Sequence, residues 1–149
     1  MRELALMLAL ALPAPQHLAT IAVRAPNATL VLQVAKTDRQ REIGLMNVAA
    51  LPEHTGMIFV FPGDGPVSFW MKDTLVPLDM IFVAPDGTVR SIAERVPTVP
   101  LAMPDEDIPL EQGVAKYVIE LPAGEAYVDG IVAQKRLTSD LFEIKHSKN

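Results

Sequence analysis

The densest run of unlike chemistry in the chain is Phe69-Trp70-Met71-Lys72-Asp73-Thr74, with Asp79 five residues beyond it. In an extended backbone Trp70 and Lys72 fall on one face, which sets a flat ring beside a cation. Asp73 and Asp79 add carboxylates and Thr74 a hydroxyl. Such a mixture suits a small polar ligand, the ring providing a stacking surface and a few polar groups orientation. The same residues also admit a structural reading: Trp70 in the core, Lys72 paired with Asp79, Thr74 capping a turn. For a shared site, the strand carrying Lys72 and Asp73 must pair with the strand carrying Asp79.

Two further residues bear on that site. Arg41 could grip a ligand carboxylate bidentately, or clamp a buried backbone carbonyl or Asp79. Glu120 shares a strand face with Val118, and Asp79 shares one with Ile81 and Val83. A carboxylate beside apolar neighbours has a raised pKa unless it is paired. Two such groups could be an acid–base pair of the glycosidase kind; Arg41, Lys72 or Lys116 could instead hold them as ion pairs.

Other chemistries are poorly represented. His17, His54 and His146 are far apart and lack local metal-ligand spacing. Asp105-Glu106-Asp107 with Glu111 offers oxygens for calcium but not the spacing of a known loop, so a solvated acidic surface is expected. Ser68, Ser91, Ser139 and Ser147 sit in no nucleophile elbow, and there is no Gly-rich phosphate loop. The chain has no cysteine, which removes disulfides and thiolate chemistry. A net charge of −5, with scattered Lys and Arg, disfavours a nucleic-acid partner. No cofactor and no metal are expected.

The elements that must position these groups are short. Thirteen prolines and eight glycines in 149 residues argue for many strands joined by turns rather than long helices. Strands are predicted at 21–23, 29–35, 57–61, 67–72, 78–84, 88–94 and 115–121, with turns at Pro26-Asn27, Pro62–Pro66 and Pro85-Asp86-Gly87. The best helix candidate is Thr37–Met46, where Thr37 and Gln40 have capping-box spacing. A second short helix, closed by Gly130, is predicted within 122–130. Residues 96–113 hold four prolines and four acidic side chains and read as a long irregular excursion. The fold class expected is mainly β: a compact antiparallel β-sandwich or barrel with one short α-helix near the N-terminal third.

The N-terminus reads differently from the rest. Leu4–Leu12 is an apolar run behind Arg2, too short to span a bilayer and followed by Pro13-Ala14-Pro15. It fits the central region of a signal peptide, with cleavage at Ala9-Leu10-Ala11 or after Ala14. The expected organisation is therefore a signal peptide over 1–14, a single β-rich domain over 20–144 and a frayed polar tail over 145–149. The mature protein is expected to be exported to the periplasm, with no membrane span.

Arg41-Glu42-Ile43-Gly44-Leu45-Met46, Gly56-Met57-Ile58-Phe59, Ser68–Thr74, Leu78-Asp79 and Tyr117-Val118-Ile119-Glu120-Leu121 stand in an order and spacing that resemble a known family. From about Leu30 to Val132 the chain is similar to the prokaryotic family called domain of unknown function 192. The resemblance implies a small β-sandwich-like domain with one helix, often exported, and no established activity. The family usually has Asn where Asp73 stands, and Gly-Asp where this chain has Gln134-Lys135.

The function expected is non-enzymatic binding of a small polar ligand by Trp70, Lys72, Asp73, Thr74, Asp79, Arg41 and Glu120. One alternative is a hydrolase using Asp79 with Glu120, or Asp73 with Asp79. Another is a structural or protein-interaction module of the cell envelope, using the proline-rich loop Val96–Pro109 and an exposed patch at Val99, Leu101 and Met103.

Overall fold

The computed structural model describes residues 12–142. All but the last residue of the Leu4–Leu12 run, and the whole polar tail, lie outside the described residues. The elements in chain order are β1 (Thr20–Arg24), β2 (Thr29–Ala35), α1 (Asp38–Ile43), β3 (Thr55–Phe69), β4 (Leu78–Val83), β5 (Val89–Val96), β6 (Glu111–Pro122) and α2 (Glu125–Val128). A single 3-10 turn, Asp105–Asp107, interrupts the excursion between β5 and β6.

The six strands form one sheet in the order β1-β2-β3-β6-β4-β5. The β2–β3 pair is parallel and the others are antiparallel. The mainly β expectation therefore holds, in the form of an open mixed sheet rather than a closed barrel. Parallel pairing needs a crossover, and α1 lies in it. That helix starts as its sequence requires: the Thr37 side chain accepts from the Gln40 N–H, and the Gln40 side chain accepts from the Thr37 N–H.

Both faces of the sheet are covered, which explains why β4 is buried at every position. On one face Leu30, Leu32, Ile58, Ile81, Ile119 and Leu121 pack with Ala126 of α2 and with Ile131, Leu137 and Phe142 of the C-terminal segment. On the other, Met57, Phe59, Phe69, Met80, Phe82 and Val118 pack beneath Leu45 and Met71, joined by Val76 and Val99 from the connecting loops. Phe69 anchors the second face, its ring edge-on to Phe59 at 4.9 Å and to Phe82 at 6.3 Å.

Two expectations are corrected here. Pro62–Pro66 does not reverse the chain, and the strand predicted at 67–72 is the end of β3, which runs unbroken to Phe69. Opposite β6 the register jumps, Val60 facing Tyr117 and Gly65 facing Ala115, so the segment between them bulges outward. Pairing with β2 ends at Phe59, which leaves that side of Pro62 and Pro66 without a strand to bond. The second correction is that β3 and β4 do not pair, because β6 lies between them.

Candidate functional site

Alternation along β6 directs Tyr117, Ile119 and Leu121 to the α2 face and Glu120 to the other. There Glu120 forms part of a cleft of about 30 Å³ with the end of α1 (Arg41 to Met46), Phe59, Phe69, Trp70, Lys72 and Thr74. Five of the seven expected site residues thus share one cleft. The volume is room for one water molecule or one functional group rather than a whole sugar.

Glu120 is the unusual member. It is 4% exposed, and among the described residues no hydrogen bond or ion pair reaches its carboxyl. Burial alone pushes its pKa from 4.5 to about 8, so at neutral pH it is a protonated acid with a hydroxyl to donate. The cations once eligible to pair with it are committed elsewhere. Arg41 donates to the carbonyls of Lys36 at 2.7 Å and Val60 at 2.8 Å, pairs with Asp38 and lies over Phe61. It is therefore the clamp that ties α1 to β3. Lys116 bonds the Pro62 carbonyl at 3.0 Å.

Trp70 is half-buried and belongs to neither apolar cluster, so it is not a core residue. Lys72 lies over its ring, 5.2 Å from the centroid, and bonds Asp105 at 2.6 Å. That ion pair ties the acidic excursion to the rim of the cleft. In the excursion itself Leu101 is exposed, while Val99 packs on the core and Met103 is half-buried. Thr74 is buried and its hydroxyl donates to the Lys72 carbonyl at 3.1 Å, which is the turn-capping role.

Asp73 and Asp79 do not join this group at the cleft wall. Asp73 adopts φ 50°, and its carbonyl accepts from the Asn47 N–H at 2.8 Å. Its position selects a residue at ease in the left-handed region, which Asn and Asp both are. The Gln134 substitution also stands at a left-handed position, φ 71°, where the family's Gly would be unstrained.

Asp79 faces the α2 side of the sheet, with Ile81 and Val83. Its carboxylate accepts three backbone N–H groups: Arg95 at 2.7 Å, Gly124 at 3.0 Å and Ala126 at 2.9 Å. Arg95 is the left-handed residue of a bulge in β5, and Gly124 and Ala126 open α2. Asp79 is thus a structural hub. The carboxylate pair weighed from sequence is not assembled, since Asp79 and Glu120 point to opposite faces. Nor does Lys72 pair with Asp79.

Gly44 shapes the cleft wall. It ends α1 at φ 50°, and a Cβ there would lie 3.3 Å from the Phe59 ring. Gly44→Ala is expected to cost about 1–2 kcal/mol, combining left-handed strain with the tight contact. Urea unfolding of the variant beside the parent checks this, and an unchanged midpoint would contradict it.

Sequence reasoning missed one cluster. His54 lies 2.9 Å from Glu125 and 3.0 Å from Asp129, residues 71 and 75 positions away. No local spacing could have signalled it.

Comparisons place the chain among known proteins. No curated protein matches it. A solved structure of a proposed transcription regulator from Sinorhizobium meliloti 1021 is similar over 85% of this chain and 98% of its own, with 34% identity and a TM-score of 0.73. A protein of unknown function from Novosphingobium aromaticivorans DSM 12444 is similar over 87% of this chain and 94% of its own, with 28% identity and a TM-score of 0.67. The family model described as Uncharacterized ACR matches residues 20–139, which span all six strands of the sheet and both helices. The chain therefore belongs to the domain of unknown function 192 family, as its ordered motifs implied.

Proposed function

We propose that this protein is a non-enzymatic binding domain of the cell envelope, taking a small polar ligand in the cleft between α1 and the end of β3. The observation that carries the reading is Glu120: 4% exposed, with no hydrogen-bond partner among the described residues and lining a cleft rimmed by Trp70 and Lys72, where burial raises its pKa and favours the protonated acid. A buried polar group left unbonded costs stability, and such groups concentrate where a ligand completes them. The protonated acid would donate to an oxygen of the ligand, and Trp70 would cover its less polar part. The cleft admits only one functional group, so most of the ligand would lie outside it, against the ring.

Export follows from the N-terminal run, and a mature N-terminus near Pro15 in secreted material would support it. Gln16 would then be retained, with its bonds to the carbonyls of Gln40 and Gly44 at 2.9 and 3.1 Å. Among the described residues no helix is long and apolar enough to cross a membrane.

The binding test is a thermal-shift screen of sugars, amino acids and small organic acids. A ligand at roughly 100 times its Kd should stabilise by about 2.7 kcal/mol, a rise of several degrees. Trp70→Ala should abolish that shift. If no compound shifts the parent the binding reading fails, and if Trp70→Ala leaves every shift intact the site is wrong.

A further inference from the structure

On the face of the sheet opposite the cleft, the start of β3 meets α2 and brings together an imidazole and two carboxylates. Glu125 opens α2 and Asp129 follows its last residue, so the two stand four positions apart on one side of a single turn. Asp79 holds the N-terminus of that turn through the N–H groups of Gly124 and Ala126. His54 is fixed from its own backbone: its N–H donates to Glu125 Oε1 at 2.7 Å, and its carbonyl accepts from the Val31 N–H at 2.8 Å. It does so at φ 58°, in the left-handed region that histidine, like Asn and Asp, enters more readily than most residues other than glycine.

The ligand-type atoms of the three residues all lie within 4.8 Å of one another. His54 Nδ1 is 2.9 Å from Glu125 Oε1 and 3.0 Å from Asp129 Oδ1. Atoms bound to one ion at about 2.0–2.2 Å stand roughly 3.0–3.5 Å apart, so these separations already approximate those of a coordination shell. Asp129 is 1% exposed, and its Oδ1 is a buried oxygen without a hydrogen bond. A proton on Nδ1 can serve only one oxygen at a time. It bonds the other oxygen, Oδ2, at 3.3 Å, and leaves Oδ1 unsatisfied. A cation seated among the three would satisfy all of them together.

The geometry points to a binding site for a divalent first-row cation of the Zn²⁺ or Mn²⁺ kind, held by His54, Glu125 and Asp129. One nitrogen and two carboxylate oxygens suit such an ion better than calcium or magnesium, which favour all-oxygen shells, or copper(I), which favours sulfur. The His54 side chain is 43% exposed, so the ion has a route in from solvent and positions left for water.

The test is calorimetric titration of Zn²⁺ and Mn²⁺ into the chelator-stripped full chain at about pH 8, where protons compete least for the imidazole. One-to-one saturable binding is expected, together with a rise in the thermal midpoint. His54→Asn suits the left-handed backbone and should fold normally by circular dichroism; it should weaken binding at least tenfold. Asp129→Asn should do the same, and if it fails to fold the His54→Asn result decides. The proposal is overturned if neither metal binds saturably, or if His54→Asn binds as tightly as the parent, which would place the ion elsewhere.

Discussion

Replacing Glu120 by glutamine should stabilise the protein by on the order of 4–5 kcal/mol at and above about pH 8, while leaving it nearly unchanged near pH 4. Burial raises the Glu120 pKa from 4.5 to about 8. Below about pH 4.5 the acid is protonated folded or unfolded and costs nothing extra. Between the two values the unfolded chain releases the proton while the folded chain keeps it. The unfolded state then binds fewer protons, and stability falls with rising pH by about 1.4 kcal/mol per pH unit. Above about pH 8 the folded state carries a buried, unpaired carboxylate. Glutamine has nearly the same shape and stays neutral throughout, so its profile should lack this decline. Urea unfolding of both proteins from about pH 5 to 9 measures the difference directly. Parallel profiles would mean that Glu120 is solvated or paired in solution.

The opposite sign is expected on the other face of the sheet. Asp79→Asn should destabilise by about 3 kcal/mol, lowering the thermal midpoint by roughly 6–12 °C. The native carboxylate accepts Arg95 on one oxygen and Gly124 and Ala126 on the other. Hydrogen bonds to a charged acceptor contribute about 1.5–3 kcal/mol each. An amide retains only one acceptor oxygen, and its NH₂ must then face backbone N–H groups. The damage should spread beyond the side chain, since the same carboxylate joins β4, the β5 bulge and the start of α2. Amide hydrogen exchange at Gly124 and Ala126 should accelerate. Unchanged unfolding free energy would show that water replaces the lost bonds and that Asp79 is no hub.

These two acids were indistinguishable in the sequence, each a carboxylate among apolar neighbours. What separates them is their contacts across the chain. Local features were legible because they depend on near neighbours. The capping box at Thr37 and Gln40, the span of β2 and the left-handed Gly87 after Pro85-Asp86 all stand where their residues require. The short helix ahead of Gly130 does too, as does the alternation that puts Glu120 opposite Tyr117 and Ile119.

Strand order was not legible. Pairing β3 with β4 would bury much the same apolar side chains as inserting β6 between them, and nothing local tells the two apart. The Pro-Gly-rich segment at 62–66 carries every residue of a reversing turn, yet the strand continues through it, because the end of β3 is held by pairing with β6 and by the packing of Phe69.

The Phe69–Thr74 run and the ordered motifs around it were enough to establish the family, while the strand and turn pattern gave the mainly β class and the Thr37–Gln40 pair the start of α1, all of them consequences of side-chain type and near-neighbour geometry. Which of the singled-out residues share a site was decided by the tertiary structure alone. It gathered Arg41, Trp70, Lys72, Thr74 and Glu120 at one cleft, turned Asp79 to the far face and carried Glu125 and Asp129 to His54. Those placements follow from strand order and crossover, which bring together residues whose separation along the chain carries no signal of their proximity.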